Sequence, residues 1–337
     1  NIVFKRFARA LALPEIGEDD RFLCYLPLFH TFGRFLEMTG CIFWGATYCF
    51  ATNPGIENLS AEMRRLRITA FISIPMKWMQ LYDMVRQNVD VVAADDDDIE
   101  VAVRDTVGED LRWGLSAAGY LDPEIFRFFQ RHGTELMSGF GMTEATGGIT
   151  MTPPGKYRED SLGPALPGIE MMLAEDGELN IRGPYVTAGL LDPPEGKQPF
   201  HADGWFPTGD LMEQDPDGFI RIVDRKKEIY KNINGQTIAP QKIENLFRDF
   251  DSVGRIFLVG DHRAYNTALI YPNPEEEDLD LKTLSPEDLK SHVRSLVVSA
   301  NSFLSPFERI VDFAVIDRDF DAERGELTAK GTFRRKT

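Results

Sequence analysis

Residues 138–150 combine side chains that could bind a nucleotide. The run Ser-Gly-Phe-Gly-Met-Thr-Glu places an aromatic ring between two glycines and continues with Thr143 and Glu144. Glycine lets a backbone approach a ligand closely, an aromatic ring can stack on a purine, a threonine hydroxyl can bind a phosphate oxygen, and a glutamate can hold Mg²⁺. An ordinary turn between a strand and a loop is the alternative for this run taken alone.

Two later segments carry charged side chains that could contact the same ligand. In residues 204–211, Asp210 stands at a predicted strand end, where a carboxylate can accept hydrogen bonds from both hydroxyls of a ribose. Residues 222–244 contain the most basic cluster of the chain, from Arg225 to Lys231, which could meet phosphates or ribose. A polar turn and a solvated face are the alternatives for these segments.

The composition excludes several classes of protein. The 337 residues include 37 Lys and Arg against 54 Asp and Glu, which gives a formal net charge of -17. An acidic surface repels nucleic acid, so a nucleic-acid-binding protein is not expected. The 43% of hydrophobic residues can form a core, and the length favours two domains. Cys24, Cys41 and Cys49 lie in apolar stretches and predict reduced thiols in a cytoplasmic protein.

The first two thirds of the chain alternate strand-like and helix-like runs, which is typical of a layered α/β domain. We predict that the acidic run from Asp95 to Asp98, with four adjacent like charges, is a solvated loop; a metal site with further ligands from elsewhere in the chain is the alternative. In the last predicted helix of this part, Asp122 is the expected N-cap and Gly133 the expected C-terminal residue. The predicted strands are 22–28, 69–75 and 134–141, and the predicted helices are 1–13, 60–67 and 122–133.

Short alternating strands broken by Gly and Pro follow from about Gly168 and predict a small antiparallel β subdomain. Its hairpin turns are expected at Asp176-Gly177 and Asp217-Gly218. A new unit of mixed α and β structure is predicted after Asp224. Its elements are helices at 240–250 and 284–305 and strands at 254–260, 268–273 and 313–317. We therefore expect a large domain at 1–223, a small domain at 224–337, and a hinge near Asp224.

The three chemically suggestive segments, in this order, resemble the adenylate-forming superfamily, which contains the AMP-binding acyl-CoA synthetases and ligases. Residues 139–144 resemble its adenine and phosphate motif, residues 204–211 its ribose motif, and residues 224–244 its hinge motif. The last segment is most similar to the long-chain fatty acyl-CoA ligase branch. The resemblance implies an acyl-CoA synthetase-like α/β fold. It would comprise an incomplete layered large domain, a small antiparallel β subdomain and a small mobile α+β C-terminal domain.

The resemblance also implies roles for individual residues. Phe140 would stack on adenine, Thr143 would bind phosphate as a catalytic residue, and Glu144 would hold Mg²⁺. Asp210 and Arg225 would clasp the ribose. The full set of residues implied in nucleotide binding is Ala117, Ala118, Gly119, Gly139, Phe140, Gly141, Met142, Thr143, Asp210, Ile222 and Arg225. For residues 117–119, whose small side chains would leave room for adenine and the acyl group, tight helix packing is the alternative.

Two more catalytic side chains are implied. His30, in Pro-Leu-Phe-His-Thr-Phe-Gly, corresponds to a histidine near the acyl carboxylate, and a satisfied core histidine is the alternative. Residues 325–336 resemble the signature that carries the family's catalytic lysine. Strict alignment puts Thr332 at the lysine position. We choose Lys330, two residues earlier, with Arg334 or Lys336 as alternatives and a missing lysine as the further alternative.

The implied activity is that of a long-chain fatty acid-CoA ligase, with ATP, Mg²⁺ and CoA as cofactors and substrates beside the fatty acid. The family's phosphate-binding loop, rich in Ser, Thr and Gly, is absent from the sequence, so we expect a fragment that is inactive by itself. An adenylating enzyme that serves a carrier protein and an inactive nucleotide- or acyl-binding protein are the alternatives. The apolar run 39–50 is too short for a membrane span and predicts a core strand or a wall of the acyl tunnel. Peripheral membrane contact and oligomeric state stay open.

Overall fold

A computed structural model of the chain describes residues 1–13, 15–117, 119, 121–158, 160–193, 196, 198–226, 228–247, 250, 252–273, 284–328 and 333–335. The chain divides into two units by the contacts within it. The first unit comprises residues 1–208 and 212–222, and the second comprises residues 209–211 and 223–337. The expected hinge near Asp224, the domain bounds 1–223 and 224–337, and the mobility of the small domain stay predictions.

A six-stranded sheet organises the first unit. Its strands are β1 (Arg21–Cys24), β2 (Thr47–Phe50), β3 (Ala70–Ser73), β4 (Trp113–Ala117), β5 (Glu135–Met142) and β6 (Gly147–Met151). The order is β2-β1-β3-β4-β5-β6, and all neighbours are parallel except β6, which pairs antiparallel with β5. Every residue of β3 and β4 is buried, as expected for central parallel strands that are covered on both faces.

Helices cover both faces of this sheet. They are α1 (Ile2–Ala12), α2 (Thr39–Trp44), α3 (Ile56–Leu66), α4 (Pro75–Asn88), α5 (Asp96–Val107) and α6 (Pro123–Arg131). Along β1, Phe22 shares a core cluster with Cys41 of α2, whereas Leu23 shares another with Trp78 of α4 and Phe129 of α6. Successive strand residues point to opposite faces, so one short apolar strand contributes to two cores.

Helix α1 packs with its charged face inward. Lys5, Arg6 and Arg9 are 0%, 3% and 4% exposed, respectively. The Lys5 amine donates a hydrogen bond to the carbonyl of Gly148 and lies 3.8 Å from the centre of the Tyr185 ring. The exposed apolar side chains of the helix are Ile2, Val3, Phe4, Phe7 and Leu11. The predicted helix is confirmed, but its buried face is the basic one.

The acidic run begins helix α5, so the prediction of a loop from Asp95 to Asp98 is wrong. Asp95 is the N-cap, and its carboxylate accepts a hydrogen bond of 3.0 Å from the amide of Asp98. Carboxylates stabilise a helix N-terminus because the first amides have no partner within the helix and carry partial positive charge. No group of three or more metal-ligating side chains occurs within the described ranges.

The apolar run 39–50 is not one core strand, so that prediction is also wrong. Helix α2 occupies its first half and ends at Gly45, whose φ of 75° suits a glycine at the end of a helix. Its second half is β2, the half-exposed edge strand of the sheet. A π-helical segment, Phe32–Met38, precedes α2. The predicted strand 22–28 is also shorter than expected, because β1 ends at Cys24.

A second sheet has four strands: β7 (Glu170–Leu173), β8 (Glu178–Arg182), β9 (Phe206–Gln214) and β10 (Ile220–Arg225), in the order β10-β9-β8-β7. The turn at Asp176-Gly177 joins the antiparallel pair β7 and β8, as predicted. Gly177 has a φ of 85°, which a glycine adopts without strain. The predicted turn at Asp217-Gly218 separates β9 from β10, which are neighbours in the sheet.

The second unit contains the small paired strands β11 (Tyr230–Lys231) and β12 (Thr237–Ile238), helices α7 (Pro240–Asn245) and α8 (Pro286–Asn301), and the sheet β13 (Val253–Val259), β14 (Asn266–Pro272) and β15 (Ile310–Val315). Ile243 of α7 and Val297 of α8 pack in one core cluster with Ile270 of β14. The predicted helix 240–250 is shorter than expected. The predicted α/β fold class is confirmed. None of the helices within the described ranges is long and apolar enough to cross a membrane.

Candidate functional site

Several candidate residues of the first unit lie at one edge of its parallel sheet. Strands β1, β3, β4 and β5 run in the same direction, so their carboxyl ends meet at this edge. His30 follows β1, residues 117–119 end and follow β4, and Thr143 follows β5. Open α/β sheets bind ligands in the crevice at the carboxyl ends of their strands. The topology therefore brings separate sequence motifs to one edge.

The motif 139–144 forms the end and the turn of the hairpin between β5 and β6. Gly139 pairs with Met151 and Gly141 pairs with Gly148, with a register shift between Phe140 and Gly141. A Cβ atom on Gly141 would lie 2.2 Å from the carbonyl oxygen of Gly147 across the hairpin. No side chain fits at that distance, so the close approach of the two strands requires glycine here.

The turn of this hairpin presents polar groups to solvent. Thr143 is exposed and Glu144 is half-buried in a short 3-10 turn. The carbonyl of Glu144 accepts a hydrogen bond of 2.6 Å from the amide of Thr187, which fixes the backbone of the turn. Within the described part of the chain, the Glu144 carboxylate makes no hydrogen bond or ion pair. A hydroxyl and a carboxylate are thus available to a ligand.

Small residues lie beside the motif on the neighbouring strand. Ala117 pairs with Gly139, and Ser116 pairs with Ser138, at the carboxyl ends of β4 and β5. Gly119 is exposed, and a Cβ atom there would lie 3.3 Å from Pro75. Ala118 lies outside the described residues. Small side chains therefore lie at the carboxyl ends of these two strands.

The backbone just after β1 holds the His30 side chain. The amide of Phe32 donates a hydrogen bond of 3.2 Å to Nδ1 of the half-buried His30 ring. In the neutral imidazole this leaves the proton on Nε2, because one ring nitrogen accepts and the other donates. His30 also has backbone hydrogen bonds to Pro27 and Arg34, each of 3.0 Å. Its ring orientation is thus set locally.

Asp210 and Arg225 form an ion pair in the second unit. Arg225 Nε lies 2.6 Å from Asp210 Oδ1, and the side chains are 53% and 1% exposed, respectively. The amide of Lys226 donates to the carbonyl of Gly209 at 2.8 Å, which holds the two segments together. The structure thus pairs the two residues that the resemblance assigns to ribose. Ile222, from the same set, is 36% exposed.

Asp224 has a structural role that its sequence motif did not reveal. This residue is fully buried and accepts hydrogen bonds from the amides of Arg225 at 2.6 Å and Gln241 at 3.0 Å. Burial raises the pKa of its carboxyl to about 6, although both hydrogen bonds oppose that change. The start of helix α7 at Pro240 was a usable signal, because first-turn amides such as that of Gln241 need an acceptor outside the helix.

The sequence patterns also did not reveal that the basic face of α1 is buried against the hairpin of β5 and β6. Burial, with repulsion from Arg9 and Arg6, lowers the pKa of Lys5 to about 5. Burial likewise lowers the pKa of Arg9 to about 9. The spacing of these three cations, which puts them on one helix face, was the available signal. Lys330 and Lys336 lie outside the described residues, so the position of a catalytic lysine stays a prediction.

Family models match both units of the chain. A model described as AMP-binding enzyme matches residues 2–191, and a model described as AMP-binding enzyme C-terminal domain matches residues 228–337. Among curated relatives, the chain is 26% identical to long-chain-fatty-acid-CoA ligase FadD15 of Mycobacterium bovis, over 98% of this chain and 62% of the relative. It is 29% identical to mouse long-chain-fatty-acid-CoA ligase 6, over 77% of this chain and 42% of the relative.

Solved structures share the fold. ATP-bound MatB from Rhodopseudomonas palustris matches with a TM-score of 0.77 and 20% identity, over 98% of this chain and 62% of that chain. O-succinylbenzoate coenzyme A synthetase from Bacillus subtilis, in complex with ATP and magnesium ion, matches with a TM-score of 0.73 and 19% identity, over 94% of this chain and 62% of that chain. The chain thus spans less than two thirds of the length of these proteins.

Proposed function

Because the chain belongs to the family of AMP-binding enzymes, we propose that the complete enzyme activates a long-chain fatty acid with ATP and transfers the acyl group to CoA. The hairpin turn at residues 139–144, at the carboxyl edge of the sheet, carries this proposal. Its glycine-dependent backbone, exposed Thr143 and available Glu144 carboxylate suit a nucleotide. The similarity to long-chain-fatty-acid-CoA ligases supports the choice of acid.

The first step of this proposal joins the fatty acid to the nucleotide. A carboxylate oxygen attacks the α-phosphorus of ATP, and pyrophosphate leaves. Phe140 would stack on adenine, and Thr143 would donate to a phosphate oxygen. The Asp210 carboxylate would accept from ribose hydroxyls, while its ion pair with Arg225 orients it. Lys330 would stabilise the charge that develops at the phosphate in the transition state.

Glu144 suits a magnesium ion. Mg²⁺ in nucleotide enzymes commonly takes one or two carboxylates from the protein and other oxygens from the substrate phosphates and water. A half-buried carboxylate next to an exposed threonine fits that pattern. When bound, the ion would supply charge neutralisation at the phosphates.

The second step transfers the acyl group. The thiol sulfur of CoA attacks the acyl carbonyl, the bond from that carbon to the phosphate oxygen breaks, and AMP leaves. His30, held by the amide of Phe32 at the sheet edge, would lie near the carbonyl. A neutral imidazole with its proton on Nε2 would donate a hydrogen bond to an acyl oxygen.

The experiment measures the two steps separately in the complete enzyme. Lys330→Ala should lower the rate of pyrophosphate release by about 100-fold or more. It should leave thioester formation from supplied acyl adenylate nearly unchanged. Lys290→Ala, which removes an exposed lysine of α8, is the matched control. An unchanged rate in Lys330→Ala would remove the proposed role of this lysine.

The acceptor is tested with the wild-type enzyme. AMP production that depends on CoA supports the ligase, whereas AMP production that depends on an acyl carrier protein supports the alternative acceptor. A nucleotide-binding protein without catalysis is the second candidate, since Thr332 stands at the strict lysine position. ATP binding by calorimetry with no turnover for fatty acids of any chain length would favour that candidate.

A further inference from the structure

Arg335 neutralises two carboxylates in the second unit. Its side chain is 9% exposed, and its guanidinium forms an ion pair with Glu244 and lies 3.4 Å from Oε2 of Glu228. It also donates to the carbonyl of Leu258 at 3.4 Å. The Glu228 and Glu244 side chains are 25% and 10% exposed. Because one cation serves both acids, its removal would leave them buried without a counter-charge.

Aromatic rings surround the same guanidinium. Its central carbon lies 4.9 Å from the centre of the Phe257 ring and 5.9 Å from that of Phe333. Phe333 packs edge-to-face against Phe257 and Phe320, with ring centres 4.9 Å and 4.8 Å apart. Planar arginine can stack on such rings while its fork binds carboxylates, which lysine cannot do equally well.

Backbone contacts bind residues 333–335 to the segment that precedes them. Phe333 forms an antiparallel bridge with Leu327, and the amide of Arg334 donates to the carbonyl of Glu326 at 2.8 Å. The Glu326 carboxylate in turn pairs with Arg318 at 2.6 Å. The residues on both sides of 329–332 are therefore anchored. Lys330 belongs to that interval of the sequence.

A chain of hydrogen bonds leads from Arg335 to the expected hinge. The carboxylate of Glu228, beside Arg335, accepts from the Gln241 side chain at 2.8 Å. The backbone amide of Gln241 donates to Asp224 at 3.0 Å. Residues 224–228 and 333–335, far apart in sequence, thus share one polar network. A surface ion pair would not connect them in this way, because it is solvated and weakly held.

We propose that Arg335 is a positioning residue that fixes residues 333–335, which follow Lys330 in the sequence, to the stretch after Asp224, the expected hinge. The two segments then move as one body in any motion about the hinge. This inference rests on the proposed function only where it concerns Lys330. The link between residues 333–335 and 224–228 stands on the described contacts and can be tested without turnover.

Hydrogen exchange on this chain tests the link directly. In Arg335→Gln, the amides of residues 326–328, 333–335, 224–226 and 228–230 should exchange at least about tenfold faster than in the wild type, because both segments lose their shared anchor. Arg255→Gln removes an exposed ion pair of the same unit, to Asp319 at 2.9 Å, and should leave both segments protected. Unchanged exchange in Arg335→Gln would overturn the proposal.

A second variant, Arg335→Lys, provides a test in case Arg335→Gln does not fold. Arg335→Lys keeps the charge but lacks the planar fork, so exchange in both segments should rise less than in Arg335→Gln and more than in Arg255→Gln. If Arg335→Gln does not fold, the comparison of Arg335→Lys with the wild type and Arg255→Gln decides. Wild-type protection in Arg335→Lys would then refute the need for an arginine, and with it the proposed network.

Kinetic measurements on the complete enzyme distinguish a positioning role of Arg335 from a general effect on stability. Arg335→Gln should lower kcat for pyrophosphate release by about tenfold or more with little change in KM for ATP. In the Lys330→Ala background it should cause no further loss, because both changes act through the same lysine. If the two losses in kcat multiply in the double variant, Arg335 does not act through Lys330 and the positioning role is refuted. An inactive wild type would refute the proposed function and leave the exchange result to decide the link.

Discussion

Lys5 should make the first unit less stable as the pH falls. Its amine is fully buried, and its pKa is lowered from 10.5 to about 5 by burial and by repulsion from Arg9 and Arg6. Below pH 10.5 the unfolded chain takes up a proton at this amine, whereas the folded protein does so only near pH 5. The free energy of unfolding therefore falls as the pH drops between these two values.

The size of the effect follows from linkage. Each pH unit within this window changes the free energy of unfolding by about 1.4 kcal/mol per proton. Between pH 9 and pH 6 the wild type should therefore lose about 4 kcal/mol through Lys5. Lys5→Met keeps the length of the side chain and removes the proton site. The lost hydrogen bond to Gly148 affects both pH values alike, so it cancels in the comparison.

The assay is urea unfolding followed by tryptophan fluorescence at pH 6 and pH 9. All four tryptophans, at positions 44, 78, 113 and 205, belong to the first unit, so the signal reports on that unit. The stability of Lys5→Met relative to wild type should be about 4 kcal/mol greater at pH 6 than at pH 9. Lys156→Met, which removes an exposed amine from the same unit, controls for the loss of one charge.

Two results would refute this reasoning. One is a stability difference between Lys5→Met and wild type that is the same at both pH values. The other is a larger difference at pH 9, which would mean that the folded protein stabilises the protonated amine. In either case the carbonyl of Gly148 and the ring of Tyr185 would outweigh burial at this position.

Three further changes have defined outcomes. Gly141→Ala should lower the free energy of unfolding in urea by about 2 kcal/mol, because its Cβ would lie 2.2 Å from a backbone oxygen. It should also abolish ATP binding by the complete enzyme. Gly17→Ala is the control and should cost far less, because there is open space around Gly17. Asp95→Ala should lower stability by about 1 kcal/mol through loss of the helix cap, whereas Asp97→Ala should cost less. In Asp224→Asn, stability followed by circular dichroism should fall by about 2 kcal/mol less than in the wild type as the pH rises from 4 to 6.

The sign for Asp224 follows from its raised pKa, about 6 in the folded protein against an ordinary value of 3.8 in the unfolded chain. Between these values the unfolded chain has lost a proton that the folded protein keeps, so wild-type stability falls as the pH rises and is constant above. An unchanged pH profile in Asp224→Asn would contradict burial as the cause. Equal losses in Asp95→Ala and Asp97→Ala would contradict capping, and a neutral Gly141→Ala would contradict the close strand approach.

Local signals predicted the elements whose ends depend only on neighbouring residues. Helix α6 begins after Asp122, whose carboxylate accepts from the amide of Glu124 at 2.6 Å, and it is followed by Gly133 with a φ of 92°. The turn at Asp176-Gly177 and the glycine-dependent turn after β5 are local in the same sense. Their residue types supply an acceptor for a free backbone amide or allow a positive φ, so these ends can be recognised without knowing the rest of the fold.

Features that depend on distant partners were not predictable in the same way. The face that α1 buries is set by Gly148 and Tyr185, which lie far along the chain. The ion pair between Asp210 and Arg225 requires β9 and β10 to be neighbours, which the spacing of two motifs does not specify. The loop prediction for the acidic run that begins α5 was wrong for another reason. Repulsion among the four charges favours a loop, but their attraction to the helix N-terminus outweighs it.

The antiparallel pairing of β5 with β6 has a consequence for the order of folding. Its partners, such as Met142 and Gly147, are close in sequence, whereas the parallel pairing of Phe22 with Ala70 requires a long segment between them to be ordered first. Closing a short loop costs less chain entropy and is faster than closing a long one. The turn that carries residues 139–144 can therefore form early on its own hairpin. The parallel strands that complete the carboxyl edge of the sheet must be added afterwards.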